Sequence, residues 1–258
     1  MDVVILCGGK GTRLSEETIN KPKPMVEIGS MPILWHIMKY YSCFGFRRFI
    51  LCLGFKGEHI KQYFLNYKNT AGDYSIKLDP ESKIEYYNHS DEKNWKIVFA
   101  DTGLNTFKGG RLKRVEKYIK SDNFHLTYGD GVANVNLDAL VSFHKSHDLI
   151  GTVTAVRPPS RFGEIKVEKD MVIEFEEKPQ MDSGYINGGF FIFNKNILAE
   201  LTDDERCDFE FGPLQDLAKN RQMKAFKHDQ FWQCMDNVRE RDYLIKLIEE
   251  GNAPWKIW

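Results

Sequence analysis

Gly8, Gly9, Lys10, Gly11, Thr12 and Arg13 follow the short apolar run Val3 to Cys7, and Lys21 and Lys23 come next, interleaved with Pro22 and Pro24. Glycine admits positive φ and lets backbone amides approach a ligand closely. Successive N–H groups then form a concave anion site. Arginine and lysine add charge-assisted hydrogen bonds. Together these residue types suit the cradling of a polyphosphate. The plainer alternative is a tight turn with solvated cations. The prolines favour the cradle, because they stiffen the chain that carries Lys21 and Lys23, and a solvated pair needs no such stiffness. Two acidic residues complete the set. Asp130 stands in "TYGDG" between Gly129 and Gly131, and Asp236 stands in "FWQCMDNV". Either alone could be a helix N-cap. Beside a basic cradle they point to magnesium, which is typically held by one or two carboxylates plus phosphate oxygens.

Two familiar phosphate loops do not match. A P-loop counted from Gly8 would need a lysine and a hydroxyl residue where Arg13 and Leu14 stand. A dinucleotide fingerprint from Gly9 and Gly11 would need glycine at Leu14, and the prolines delay the helix. An NAD-dependent oxidoreductase is therefore disfavoured. His144 and His147 share a helix face and could share a metal, but no third ligand is near in sequence. The five cysteines form no C-x-x-C pair, which fits reduced thiols in a cytoplasmic protein.

The elements that would position these groups alternate. Strands are expected at Val3–Leu6, 47–55, 96–103, 123–132 and 149–156. Helices are expected from Pro32 through "ILWHIMKYYSCF", over 58–66, in "GGRLKRVEKYI" and in "LDALVSFHKSH". Such alternation predicts an α/β fold: a mainly parallel sheet covered by helices on both faces, with ligands outside the carboxyl ends of its strands. The glycine loop and "YGDG" both fall at such ends. After Pro158, "GEIKVEKDMVIEFEEKP" alternates like an antiparallel hairpin. "YINGGFFIFN" has the character of a strand, and "FEFGPLQDLAKN" and "RERDYLIKLIEEG" have that of helices. Residues 67–95 are polar and poorly periodic, as expected of a surface arm or an interface.

A chain of 258 residues with 42% apolar and 28% charged residues is an ordinary globular protein. A net charge of −1 provides no global attraction for nucleic acid or an anionic membrane, so neither is expected as a partner. The first apolar run is too short for a signal core, and no stretch approaches the roughly 20 apolar residues of a membrane span.

In order and spacing, "GGKGTRL", "KPKPMVEIG", "YGDG", "EEKP", "INGGFF" and "W-Q-x-M-D" resemble the motifs of the sugar-1-phosphate nucleotidyltransferases, from Met1 to Trp258. "SEETINKPKPMVEIG", "DTG…GGRLKRV", "LTYGDGV" and "GNAPWKIW" are similar to the branch of that family that joins CTP and α-D-glucose 1-phosphate into CDP-glucose and pyrophosphate. The resemblance implies a Rossmann-like, GT-A-like mixed sheet in a single domain. Residues 1–157 would bind nucleotide, 158–236 would bind sugar, and 237–258 would form a C-terminal helical segment. It implies that Leu6, Cys7, Gly8, Gly9, Lys10, Gly11, Thr12 and Arg13 hold the base and phosphates, with Arg13 on the leaving pyrophosphate and Lys23 near the reacting phosphate. Thr102 and Arg111 lie in nucleotide-contacting segments, and Gly129 borders the ribose. Asp130 and Asp236 would hold Mg²⁺. Glu177 and Lys178 would contact the sugar and its phosphate, and Asn187 and Gly188 would line the sugar pocket. The family also implies a homo-oligomer, a hexamer, and a place in making surface-polysaccharide deoxysugars. The same scaffold serves thymidylyl-, uridylyl- and guanylyltransferases. A binding regulator that has lost the chemistry is opposed by the presence of Lys23 and both aspartates.

Overall fold

Runs of valine, isoleucine, leucine and phenylalanine without strict alternation make strands that are buried on both faces. In a computed structural model of the protein, which describes residues 1–78, 83–87, 91–158, 164–168, 170–176 and 184–258, those runs form one mixed sheet. The strand Asp2–Leu6 lies at its centre, parallel to both Arg48–Leu53 and Asn123–Tyr128, with Val4 beside Ile50 and Leu126. Lys96–Asp101 extends the parallel half. On the other side Phe191–Asn194 runs antiparallel between Asn123–Tyr128 and Gly151–Val156, and Met223–His228 pairs parallel to Gly151–Val156. The mainly parallel expectation holds, and the antiparallel insertion makes the sheet mixed.

Alternate side chains serve two cores. Val3, Ile5, Phe49 and Leu51 face one, beneath the helices Ile33–Cys43 and Val238–Glu249, and Val4, Ile50 and Cys52 face the other, which includes Leu112 of the helix Lys108–Arg114. Ile33–Cys43 is buried along almost its whole length. Each large apolar side chain so enclosed contributes about 1.5–3 kcal/mol. Pro32 is the N-cap residue rather than the first residue inside that helix. Trp255 is fully buried and stacks on Phe231 with ring centroids 5.5 Å apart, so the C-terminal segment is part of the core.

Two expectations are corrected. "YINGGFFIFN" is two strands, Ile186–Asn187 and Phe191–Asn194, because Gly189 and Phe190 take positive φ between them. "FEFGPLQDLAKN" is helical only from Gln215 to Lys219. Phe211 and Gly212 leave helical geometry, Gly212 at φ +126°, where a glycine is required. Within 67–95, Tyr74–Ile76 and Ile84–Tyr86 pair as an antiparallel ribbon. The hairpin after Pro158 is present, Glu164–Glu168 against Met171–Glu176. His144 and His147 both meet the hydroxyl of Thr152 at 2.9 Å, and among the described residues no third metal-ligating side chain joins them. No described helix is long and apolar enough to cross a membrane.

Candidate active site

The glycine loop leaves the carboxyl end of the central strand, where the parallel half of the sheet opens. Its shape is fixed from behind by Arg111, whose side chain is 4% exposed. That guanidinium donates to the carbonyls of Gly8 (3.0 Å), Leu53 (3.0 Å) and Gly103 (2.7 Å) and to the hydroxyl of Thr102 (2.9 Å). A Cβ at Gly8 would overlap the guanidinium, so glycine is required there by space rather than by φ. Gly11 needs glycine by conformation, at φ +63°. In front of the loop lies a cavity of about 400 Å³ lined by Leu6, Cys7, Gly8, Gly9, Gly11, Thr12, Arg13, Lys23, Arg111 and Gly129, among others.

Lys23 sits in a one-turn 3₁₀ segment behind Pro22 and is 7% exposed. Its ammonium donates to Asp130 Oδ2 at 2.7 Å and to Asp236 Oδ1 at 2.6 Å. Burial alone would depress its pKa. The two carboxylates outweigh that and leave it raised, so Lys23 is charged. Arg13 reaches the other oxygen of Asp236, also at 2.6 Å. The four residues therefore converge on one point.

A small ribbon brings the two aspartates together. Gly131–Ala133 pairs antiparallel with Trp232–Cys234, and the Met235 amide donates to the Asp130 carbonyl at 2.8 Å. The N-cap of the following helix is Asn237, whose side chain accepts from the Glu240 amide at 3.0 Å. Asp236 is thus spared the capping role that its position invites. Its carboxylate faces a second cavity, of about 340 Å³, whose lining includes Asn187, Gly188, Trp232 and Asp236. Arg13, Lys108, Tyr128 and Asp130 line both cavities.

One cation already bonds to both carboxylates, which are only part-buried. Such a donor set, completed by phosphate oxygens, fits a hard divalent ion such as Mg²⁺. Burial disfavours the thiolate form of both cysteines at the cavities. Burial raises Cys7 well above the usual thiol range. Burial, with Glu240 and Asp236 beside it, pushes Cys234 up to about 12.

Not every expected residue lies at the cavities. Thr102 is fully buried and supports Arg111, and its hydroxyl donates to the Leu53 carbonyl at 2.6 Å. Thr106, in the same "DTG…GGR" segment, lines the first cavity in its place. Lys10 is exposed and absent from the lining of either cavity. Glu177 and Lys178 lie outside the described residues. Lys108, Tyr128 and Glu210 were missed. Lys108 and Tyr128 stand next to motif residues, whereas Glu210 is hidden in a stretch whose pattern is helical.

The chain belongs to the nucleotidyltransferase family: the model named "Nucleotidyl transferase" matches residues 2–234. Over its whole length it is 48% identical to a glucose-1-phosphate cytidylyltransferase of Salmonella typhi, each protein being covered completely. It is 43% identical, with the same coverage, to a probable glucose-1-phosphate cytidylyltransferase of Bacillus subtilis. Among solved structures, HddC of Yersinia pseudotuberculosis complexed with GMP-PN superposes with a TM-score of 0.67 at 25% identity, covering 96% of this chain and 99% of that one.

Proposed function

We propose that the protein transfers the cytidylyl group of CTP to α-D-glucose 1-phosphate, releasing CDP-glucose and pyrophosphate. The observation that carries the chemistry is the meeting of Arg13, Lys23, Asp130 and Asp236 where the two cavities adjoin. Full-length identity to glucose-1-phosphate cytidylyltransferases supports the choice of substrates. The first cavity, lined almost wholly from residues 1–157, takes the nucleotide, and the second, lined from both 1–157 and 158–236, takes the sugar phosphate.

The sugar phosphate is already anionic at neutral pH and needs no general base. Its oxygen attacks the α-phosphorus in line, and the bond from that phosphorus to the β-phosphate oxygen breaks with its electrons on pyrophosphate. The obstacle is bringing two polyanions together. Lys23 and Arg13 place fixed positive charge at the junction, where it stabilises charge that grows in the transition state. Backbone amides of the glycine loop hold the triphosphate, and Arg111 holds the loop. Thr106 extends the nucleotide wall and Asn187 and Gly188 that of the sugar, and Glu177 and Lys178, which lie outside the described residues, would contact the sugar and its phosphate. Asp130 and Asp236 would hold Mg²⁺, which when bound neutralises and orients phosphate oxygens. Positioning of this kind does most of the work in phosphoryl transfer generally.

The protein would act in the cytoplasm as a homo-oligomer, a hexamer, and its product would feed deoxysugars for surface polysaccharide. The exposed ribbon residues Tyr74, Ile76 and Ile84 are the candidate subunit contact.

The test is to incubate the protein with Mg²⁺, glucose 1-phosphate and each nucleoside triphosphate in turn and to measure pyrophosphate. Release with CTP alone is expected. Release with TTP, UTP or GTP instead would assign another base, and no release with any would leave a binding regulator.

A further inference from the structure

The second cavity carries a carboxylate that phosphate chemistry does not call for. Glu210 lines it, together with Asn187 and Trp232. A bare negative charge there would repel a sugar phosphate, but the Lys108 ammonium is ion-paired to Glu210 Oε1. Tyr128 donates its hydroxyl proton to the same oxygen at 2.8 Å and accepts from Asn187 Nδ2 at 3.1 Å. The other oxygen, Oε2, has no hydrogen bond to the described residues. The backbone is pinned as well. Asp208 Oδ1 accepts from the amides of Glu210 (2.8 Å) and Phe211 (3.1 Å), and Gly212 then turns the chain away.

The result is an oriented carboxylate, neutralised on one oxygen and open on the other, in a cavity that Trp232 also lines. An ionised carboxylate can only accept hydrogen bonds. In a cavity whose other end holds phosphate-binding cations, the donors left for it are sugar hydroxyls. Apolar walls with a few fixed polar groups are how small-ligand sites obtain specificity.

We propose that Glu210 is a specificity-determining residue that accepts a hydrogen bond from a ring hydroxyl of the hexose, with Lys108 and Tyr128 setting its orientation. This rests on the assignment of the protein as a sugar-phosphate nucleotidyltransferase and adds to it the group that distinguishes one hexose phosphate from another.

The experiment first finds which hexose 1-phosphate the wild-type protein turns over with CTP, and then measures kcat/KM for that sugar and its singly deoxygenated derivatives. Wild type, Glu210→Ala and Lys108→Met are compared, with thermal melts to confirm folding. For wild type, one deoxy derivative should lose on the order of 10–100-fold, the range for a hydrogen bond to a charged group. Glu210→Ala should lose a similar factor on the parent sugar and no longer discriminate against that derivative, with KM for CTP within about two-fold. Lys108→Met should weaken the discrimination without abolishing it, because the acceptor remains but loses one of the two groups that orient it. Equal penalties for every derivative in wild type and Glu210→Ala would overturn the assignment. So would a raised KM for CTP with discrimination intact in Glu210→Ala, and full discrimination in Lys108→Met would refute its orienting role. Turnover of a different hexose phosphate would refute glucose as substrate while leaving Glu210 open to the same comparison. No turnover at all would refute both.

Discussion

Lys23 stands between Asp130 and Asp236, the two carboxylates proposed to hold a divalent ion. Removing it has two separable consequences. Lys23→Ala should lower kcat by about 10²–10³-fold, as for loss of a fixed charge at a transition state. A rise in KM alone would instead mean uniform binding. In the absence of substrate, the variant leaves two neighbouring carboxylates without their shared counterion. Added Mg²⁺ should therefore raise its melting temperature more than that of wild type, and equal shifts would contradict a shared position. Asp130→Ala or Asp236→Ala should abolish turnover while the fold survives, and full activity in either purified variant would refute their role. These residues were legible because each stands in a short motif of chemically matched types. Thr102 was not a sound choice. Two threonines occur in one loop, and only the strand register sends Thr102 into the core and leaves Thr106 at the cavity.

At the scale of elements, the loop and its supporting helix act as one piece. Arg111→Ala would leave the Gly8 and Leu53 carbonyls without this partner. Both keep another donor, the Phe55 amide on Gly8 and the Thr102 amide and hydroxyl on Leu53, but hydrogen bonds from a charged group are worth about 1.5–3 kcal/mol each, so a clear fall in melting temperature is expected together with a higher KM for CTP. An unchanged melt would show that water replaces the guanidinium without loss. Asn237→Ala removes the cap beside Asp236 and should cost about 1 kcal/mol. The parallel strands could be read in the sequence because fully buried runs are continuous and lie between turn residues. The breaks at Gly189–Phe190 and Phe211–Gly212 could not. Both sit inside apolar, well-patterned stretches, and periodicity does not signal the positive φ of Gly189, Phe190 and Gly212. Glu210 was hidden for the same reason, since a helical pattern gave no cause to place its carboxylate at a site.

At the scale of the molecule, buried histidines tie stability to pH. Burial lowers His36 and His144 to about 4 and His125 to about 3, against 6.5 for the free group. Lys256 adds to the effect on His36, the N-terminal amine and His144 to that on His125, and His147 to that on His144. The unfolded chain therefore binds protons below about pH 6.5 that the folded one refuses. Stability is fully present above that value and drains as the pH falls toward 4. Urea midpoints should drop steadily from about pH 7 to about pH 4.5, and His144→Gln should make the slope shallower. A flat profile would mean that these rings accept protons in place.

The ribbon that unites Gly131–Ala133 with Trp232–Cys234 also sets a condition on biosynthesis. A growing polypeptide completes the glycine loop, Arg111 and Asp130 while the stretch bearing Asp236 has yet to be made. Such an unfinished chain lacks one of the two carboxylates that meet Lys23, so the constellation is complete only in a late event, when that last ladder zips shut.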